Sequence, residues 1–66
     1  MELRKFRLDA NLSQAELGKK VGVKQSTVAM WETGVNTPSI AVLLKLAALF
    51  NCTVDELLKR PADNKW

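Results

Sequence analysis

The sequence predicts an all-α fold, a compact bundle of five short helices around one core. Three observations support this prediction. Apolar residues recur at spacings of three and four, no segment shows the alternation of a half-buried strand, and capping and helix-ending residues divide the chain into five segments. The 66 residues leave room for one domain, which we expect over residues 1–60, followed by a short tail over residues 61–66.

The first two helices are predicted over residues 2–10 and 14–21. Ser13 and Glu16 have the spacing of a capping box, in which each side chain bonds the backbone N–H of the other residue. Gly22 follows the second helix and supplies the left-handed residue that ends it. The turn after this helix is therefore short and sharply defined.

Three further helices are predicted over residues 25–33, 40–50 and 54–59. Gly34 ends the third helix, and the motif TVDE at residues 53–56 is a second capping box. Together the five helices should bury their inward-facing apolar side chains. The predicted core consists of Leu3, Phe6, Leu12, Ala15, Leu17, Val21, Val28, Trp31, Ile40, Leu43, Leu44, Ala47, Phe50 and Leu57.

Composition excludes several kinds of site. The chain has no histidine, so a His-ligated zinc, a Ser-His-Asp triad and the commonest general base are all absent. Cys52 is the one cysteine, and we interpret it as a buried thiol between apolar elements rather than as a redox sensor. No nucleophile–base pair or metal-ligand set is evident, so we expect no enzyme activity, no metal and no cofactor.

The net charge and the lengths of the apolar runs limit the kinds of binding partner that the chain is expected to have. The net charge of +3 favours an anionic partner, although ordinary solubility charge would explain it as well. The first ten residues mix charges and contain no apolar signal region, and no apolar run approaches the length of a membrane span. We therefore expect a cytoplasmic protein with no membrane partner.

Residues 13–34 form the most informative segment. A capped helix, a glycine turn and a second helix that ends at glycine follow one another with a very short connection. Such a connection sets the two helices at roughly 90–120°, which is the helix-turn-helix arrangement. The second helix of this motif can lie in the major groove of DNA, although any small bundle can contain a similar corner.

The run LSQAELGKKVGVKQSTVAMWETG, followed by TPS, LLKLA and TVDELL, closely resembles the helix-turn-helix family of phage repressors and Cro proteins, the XRE family. The resemblance covers about residues 3–58. It implies a lambda-repressor-like DNA-binding domain of five helices, and a transcriptional repressor that binds palindromic operators as a dimer. It also implies a bacterial or phage-encoded protein that is associated with the nucleoid.

The resemblance assigns base contacts to the outward face of the third helix. Gln25 can bond adenine with both amide atoms, Ser26 can donate or accept, and Ala29 and Met30 can pack on thymine methyl groups. The simpler interpretation is a solvated face, but Ala29 and Met30 are poorly suited to one. DNA phosphate contacts are expected from residues around this helix, namely Gln14, Lys24, Thr27, Thr33 and Asn36.

The resemblance implies further features for Gln14, Gln25 and Lys24. In the family, the glutamine matching Gln14 bonds a phosphate and braces the glutamine matching Gln25. Lys24 stands where relatives carry a serine or threonine N-cap, so the third helix should lack a side-chain cap. The resemblance also implies a structural ion pair between Arg7 on the first helix and Glu32 on the third.

The fourth helix is apolar nearly all round. A domain of this size cannot easily bury both faces of such a helix, so we expect the outer face to pack against a second copy of the chain. The expected homodimer would place two recognition helices about 34 Å apart, which matches half-sites one turn apart. The interface is predicted to contain Ala41, Val42, Lys45, Ala48 and Leu49, with Trp66 over the seam.

Residues and resemblance together predict a small transcriptional regulator that binds double-stranded DNA sequence-specifically, expected to be a repressor. Two variants of this function stay open, namely an antitoxin-type autoregulator and the N-terminal domain of a larger repressor. An alternative of another class is a protein–protein adaptor, because the proposed recognition face is neutral and mildly apolar. The sequence identifies neither an operator nor a further protein partner.

Overall fold

The computed structural model describes residues 1–58. The predicted end of the fifth helix at residue 59, the predicted tail over 61–66 and the seam residue Trp66 lie outside this range. Within residues 1–58 the chain is all-helical, in agreement with the predicted fold class. The five helices, in chain order, are α1 (Leu3–Asp9), α2 (Gln14–Val21), α3 (Gln25–Thr33), α4 (Ile40–Phe50) and α5 (Val54–Leu57).

Local capping explains why the helices begin where they do. The Ser13 hydroxyl accepts a hydrogen bond from the Glu16 N–H, and the Glu16 carboxylate accepts one from the Ser13 N–H at 2.7 Å. These bonds hold the pKa of Glu16 below its ordinary value. Thr53 and Glu56 form the same reciprocal arrangement before α5. Both predicted capping boxes are confirmed.

Left-handed residues follow four of the five helices within residues 1–58. Gly22 has a φ of 84° after α2, and Gly34 has a φ of 83° after α3. Asn11 and Asn51 adopt the same region after α1 and α4, which asparagine tolerates better than most residues. Each of these residues lies in the short connection before the next helix, where it turns the chain.

One apolar cluster fills the centre of the bundle. Leu3, Leu17 and Leu57 come from α1, α2 and α5, and each is fully buried. The rings of Phe6 and Phe50 pack at the side of this cluster with centroids 5.8 Å apart. The other buried members are Val21, Val28, Trp31, Leu46 and Ala47. Leu43 is buried as well, outside this cluster.

Three predicted core residues are wrong. Ala15 is exposed, and Ile40 and Leu44 are 71% and 58% exposed. Leu46, which was not predicted, is fully buried instead. For Ile40 and Leu44 the physical reason lies in α4, where apolar residues at nearly every position leave no polar stripe to show which side faces inward. Ala15 lies in the first turn of α2, on the side opposite the buried Leu17.

The corner between α2 and α3 depends on a close backbone approach at Gly18. The Gly18 carbonyl accepts hydrogen bonds from the N–H groups of Gly22 and Val23, both at 2.8 Å. A Cβ atom at Gly18 would lie 2.6 Å from the Val23 carbonyl oxygen. Glycine therefore allows the connection to fold back tightly and set the direction of α3.

The ends of the described segment are tied together. The Glu2 N–H donates to the Leu57 carbonyl at 2.8 Å, so α1 begins beside the end of α5. None of the helices within residues 1–58 has both the length and the apolar character needed to cross a bilayer. The bundle buries Val28 and Trp31 of α3 and leaves Gln25, Ser26 and Thr33 exposed.

Candidate nucleic-acid interface

Helix α3 presents an uncharged face to the outside. At 100° per residue, Gln25, Ser26, Ala29, Met30 and Thr33 share one side of the helix. The first two and Thr33 are exposed, and Ala29 and Met30 are half-buried. All four predicted base-contact residues thus lie together on one accessible surface.

The only charged side chain of α3, that of Glu32, turns away from this face. Its carboxylate is 1% exposed and receives two hydrogen bonds from Arg7, from Nε to Oε2 at 2.6 Å and from Nη2 to Oε1 at 3.1 Å. Arg7 also donates from Nη1 to the Leu12 carbonyl at 2.8 Å. The pair therefore ties α1 to α3 and to the loop before α2.

The ion pair shifts the acidity of both partners. Burial opposes ionisation of Glu32, but the hydrogen bonds from Arg7 and Gln14 and the nearby arginine charges outweigh it, so its pKa lies below the ordinary value. The hydrogen bond to Glu32 raises the pKa of Arg7 despite burial of the guanidinium. Both groups are charged at neutral pH, and each satisfies the other inside the protein.

A line of amide hydrogen bonds runs from this carboxylate to the start of α3. Gln14 donates from Nε2 to Glu32 Oε1 at 3.1 Å, and its Oε1 accepts from Gln25 Nε2 at 3.3 Å. An ionised carboxylate can only accept, so Glu32 fixes which end of the Gln14 amide faces it. That orientation in turn fixes the amide of Gln25.

The predicted phosphate contacts differ in how freely they can donate. Lys24 is exposed and makes no side-chain cap at the start of α3, as the sequence predicts. The Thr33 hydroxyl is within hydrogen-bond distance of the Ala29 and Met30 carbonyls, at 3.0 and 3.3 Å. A phosphate accepts hydrogen bonds but does not donate them. The Thr33 hydroxyl would therefore have to give up its hydrogen bond to the helix backbone in order to donate to a phosphate.

The two remaining candidates for phosphate contacts, Thr27 and Asn36, lie near opposite ends of α3. Thr27 is half-buried, near the start of the helix. Asn36 is exposed in the following loop, and its Nδ2 lies 3.9 Å from Met30 Sδ. The side chain of Asn36 is therefore accessible to a DNA phosphate, whereas that of Thr27 is less accessible.

Helix α4 has an exposed apolar stripe that differs from the predicted one at three residues. Val42 is half-buried against the core and does not belong to the outer face. Ile40 and Leu44, which sequence reasoning placed in the core, lie on that face instead. Ala41, Lys45 and Ala48 are exposed as predicted, and Leu49 lies at the edge, 38% exposed.

Two other residues complete the description. Cys52 is half-buried against the core, and burial, together with the nearby Glu56 carboxylate, raises the pKa of its thiol. Arg4, which sequence reasoning did not single out, lies with Nε 3.6 Å from Glu32 Oε1. Its position three residues before Arg7 is the signal that could have placed it on the same side of α1.

The chain is similar in sequence to regulators from archaea and phages. Residues 3–57 match the family described as helix-turn-helix. An uncharacterized HTH-type transcriptional regulator of Archaeoglobus fulgidus is 34% identical over 64 residues, which are 97% of this chain and 91% of that protein. Repressor protein C2 of Salmonella phage P22 is 37% identical over 57 residues, covering 86% of this chain and 26% of that protein.

A solved structure is similar as well. The P22 c2 repressor protein, crystallised in complex with a synthetic operator, superposes with a TM-score of 0.82 at 36% identity. The match covers 88% of this chain and 88% of that chain. Both the sequence and the arrangement of helices thus resemble those of a repressor that was crystallised on DNA.

Proposed function

The chain belongs to the XRE-type helix-turn-helix family of DNA-binding transcriptional regulators, and from that premise we propose that it reads a specific DNA sequence in the major groove with α3 and represses transcription. The family is not one of enzymes. One observation carries the proposal: the uncharged outer face of α3 is anchored at its first residue by the hydrogen bonds that run from Gln25 through Gln14 to Glu32. These hydrogen bonds orient the exposed side chain of Gln25 before any DNA is bound.

The chemistry of the α3 face supports base reading. Gln25 donates one Nε2 hydrogen to Gln14, which leaves its second hydrogen and its Oε1 for the N7 and N6 groups of an adenine. Met30 and Ala29 present apolar surface suited to a thymine methyl group, and Ser26 adds one adaptable hydroxyl. A site rich in adenine and thymine at these positions is the expected target.

Phosphate contacts would set the position of α3 in the groove. Gln14 uses one Nε2 hydrogen on Glu32 and keeps the other for a phosphate oxygen beside the start of α2. Lys24 offers a charged partner at the start of α3, and Asn36 offers an amide after its end. Contacts at both ends of the helix would hold it against the floor of the groove.

We further propose that two copies bind a palindromic operator through the exposed stripe of α4. In an antiparallel contact with a two-fold axis at Leu44, the larger Ile40 of one copy faces the small Ala48 of the other. Lys45 lies at the edge, where its long side chain can extend into water. The stripe is therefore complementary to itself.

The stripe is small compared with a stable interface. A standard interface buries about 800 Å² per partner, and on α4 only Ile40 and Leu44 are large apolar side chains more than half exposed. We therefore expect weak association in free solution and much stronger association when adjacent half-sites hold two copies close together. The proposed function implies a cytoplasmic location beside chromosomal or phage DNA.

Selection from a random duplex library at about 100 mM salt tests the function, since phosphate-driven affinity depends on salt. An enriched palindrome with half-sites about one helical turn apart is the expected result. A single enriched half-site would keep DNA reading and remove the dimer. No enrichment would favour the protein–protein adaptor, for which the neutral α3 face would be the docking surface.

The dimer has its own test. Leu44→Glu should leave half-site binding intact and remove the cooperative binding to the palindrome, because it places a charge at the two-fold axis. Leu8→Glu is the matched control, since Leu8 is an equally exposed leucine, 56% against 58%, on α1. Equal cooperativity in both variants would contradict the α4 interface.

A further inference from the structure

Arg4 is a surplus cation beside a carboxylate that is already satisfied. Glu32 Oε2 accepts from Arg7, and Glu32 Oε1 accepts from both Arg7 and Gln14. Arg4 Nε lies 3.6 Å from the same Oε1 atom, which is longer than a charge-assisted hydrogen bond. Two guanidinium groups thus face one buried carboxylate, and the local charge of the three side chains is positive.

The Arg4 side chain is mostly exposed to solvent and holds no hydrogen bond to Glu32. It is 69% exposed, whereas that of Arg7 is 9% exposed and holds three hydrogen bonds. Exposed ion pairs contribute little to stability, and Arg4 approaches the carboxylate without a hydrogen bond to it. Arg4 is therefore not needed to hold the fold at this point.

The position of Arg4 relates it to the proposed phosphate contacts. Gln14 Nε2 and Arg4 Nε both contact Glu32 Oε1, so a phosphate bound by Gln14 lies within reach of the Arg4 guanidinium. Glu32 lines two clefts, one together with Arg4 and Lys5 and the other together with Thr33 and Asn36. Arg4 thus adjoins the surface that would follow the DNA backbone.

We propose that Arg4 is a DNA phosphate contact, adjacent to the phosphate that Gln14 binds. Its guanidinium leaves Glu32 and binds phosphate oxygens, for which its planar fork of donors is well suited. The Arg7–Glu32 pair stays in place and keeps Gln14 oriented. This inference rests on the proposed function, because it requires that the chain bind DNA.

The test compares Arg4→Gln with the wild-type chain on the selected duplex, over a series of salt concentrations. The slope of log K against log salt should become shallower by about 0.9 per bound subunit, the value for one lost phosphate contact on duplex DNA. Affinity should fall by a similar factor on matched and mismatched duplexes, because a phosphate contact does not read sequence. The urea midpoint should stay unchanged.

Lys5→Gln is the matched control, since it removes the same charge from the next residue of α1, which is also exposed. Its slope should stay close to that of the wild-type chain, and Arg4→Lys should retain most of the salt dependence. Equal slopes for Arg4→Gln and Lys5→Gln, or a lowered urea midpoint for Arg4→Gln alone, would overturn the inference. Absence of salt-dependent binding by the wild-type chain would instead overturn the proposed function itself.

Discussion

Gln25 Nε2 donates a hydrogen bond to Gln14 Oε1 at 3.3 Å, which joins the first residue of α3 to the first residue of α2. The direction of this bond is imposed from inside the protein, because the Glu32 carboxylate must receive the Gln14 amide nitrogen. A buried charge thereby decides which atoms of two surface amides face outward. The ion pair and the proposed reading surface form one connected arrangement.

Loss of Gln14 should weaken sequence discrimination as well as affinity. Gln14→Ala removes the proposed phosphate contact and releases the Gln25 amide, whereas Gln25→Ala should cost about 1–3 kcal/mol of discrimination at one adenine. The double variant should lose less discrimination than the two single losses added together, because Gln14 acts partly through Gln25. Affinities for duplexes with and without that adenine measure this, and strict additivity would contradict the coupling.

The Arg7–Glu32 pair should be costly to break and cheap to replace. Glu32→Leu leaves the buried Arg7 charge without its partner, and Arg7→Met leaves the carboxylate with Gln14 and the more distant Arg4. We expect each single variant to lose about 3 kcal/mol of unfolding free energy. Urea unfolding in the presence of a stabilising osmolyte would measure these losses in so small a domain.

The double variant Arg7→Met with Glu32→Leu is the decisive control for that pair. Apolar side chains in place of both charges remove the desolvation cost, so the double variant should unfold at higher urea than either single one. Its DNA affinity should still be low, because Gln14 has lost the carboxylate that orients it. A double variant less stable than both single ones would contradict this prediction. It would show that the single variants lose stability because the attraction within the pair is lost, and not because one buried charge is left without a partner.

Acid should unfold the protein partly through Glu32. Its pKa is lowered in the folded chain, so its contribution to stability is complete above the ordinary value of 4.5 and is lost as the pH falls through the lowered value. Glu32→Gln should therefore give a shallower decline of unfolding free energy below about pH 4.5. The comparison variant is Glu16→Gln, where the exposed capping carboxylate should change the decline less, and equal declines would contradict the assignment.

Local signals allowed the helix boundaries to be predicted from the sequence. Ser13, Gly22 and Gly34 act within one turn of their own positions, so the bounds of α2 and the end of α3 agree with the prediction. The inward face of α4 could not be predicted in the same way. A helix that is apolar on every side gains by burying any of its faces, and only the shape of the remaining bundle selects Leu46 over Leu44.

In the candidate site, too, features that follow from local spacing could be predicted, and features that depend on tertiary contacts could not be predicted from spacing. The shared face of Gln25, Ser26, Ala29 and Met30 follows from helical spacing, which the sequence contains. The direction of the Gln14 amide and the place of Arg4 beside the carboxylate depend on Glu32, which lies far away in sequence and comes close only through folding. Spacing arguments therefore recover the surface of α3, and the family resemblance predicts the Gln14–Gln25 and Arg7–Glu32 contacts behind it. Neither gives the direction of the Gln14 amide or the place of Arg4.

Gly18→Ala should destabilise the corner between α2 and α3. Helix propensity alone predicts a gain of about 1 kcal/mol for this change. The added Cβ would, however, meet the Val23 carbonyl oxygen at 2.6 Å, a backbone atom that cannot rotate away. We expect a net loss of about 1–3 kcal/mol by urea unfolding. Lys19→Ala, at the next and exposed position, should stay close to wild type, and a stabilised Gly18→Ala variant would show that the turn can relax.

Lys24→Ser should move stability and DNA binding in opposite directions. Lys24 has the extended backbone of an N-cap but no capping side-chain bond, so a serine hydroxyl there should add about 1 kcal/mol to the free energy of unfolding. The change also removes the cation that we propose lies against a phosphate, so the salt dependence of DNA binding should fall by about one contact. Lys20→Ser, which removes a charge from the last turn of α2, should gain no stability. If Lys24→Ser were more stable and bound DNA with unchanged salt dependence, the lysine would have no role at the phosphate and its place at the N-cap would be left without a physical reason.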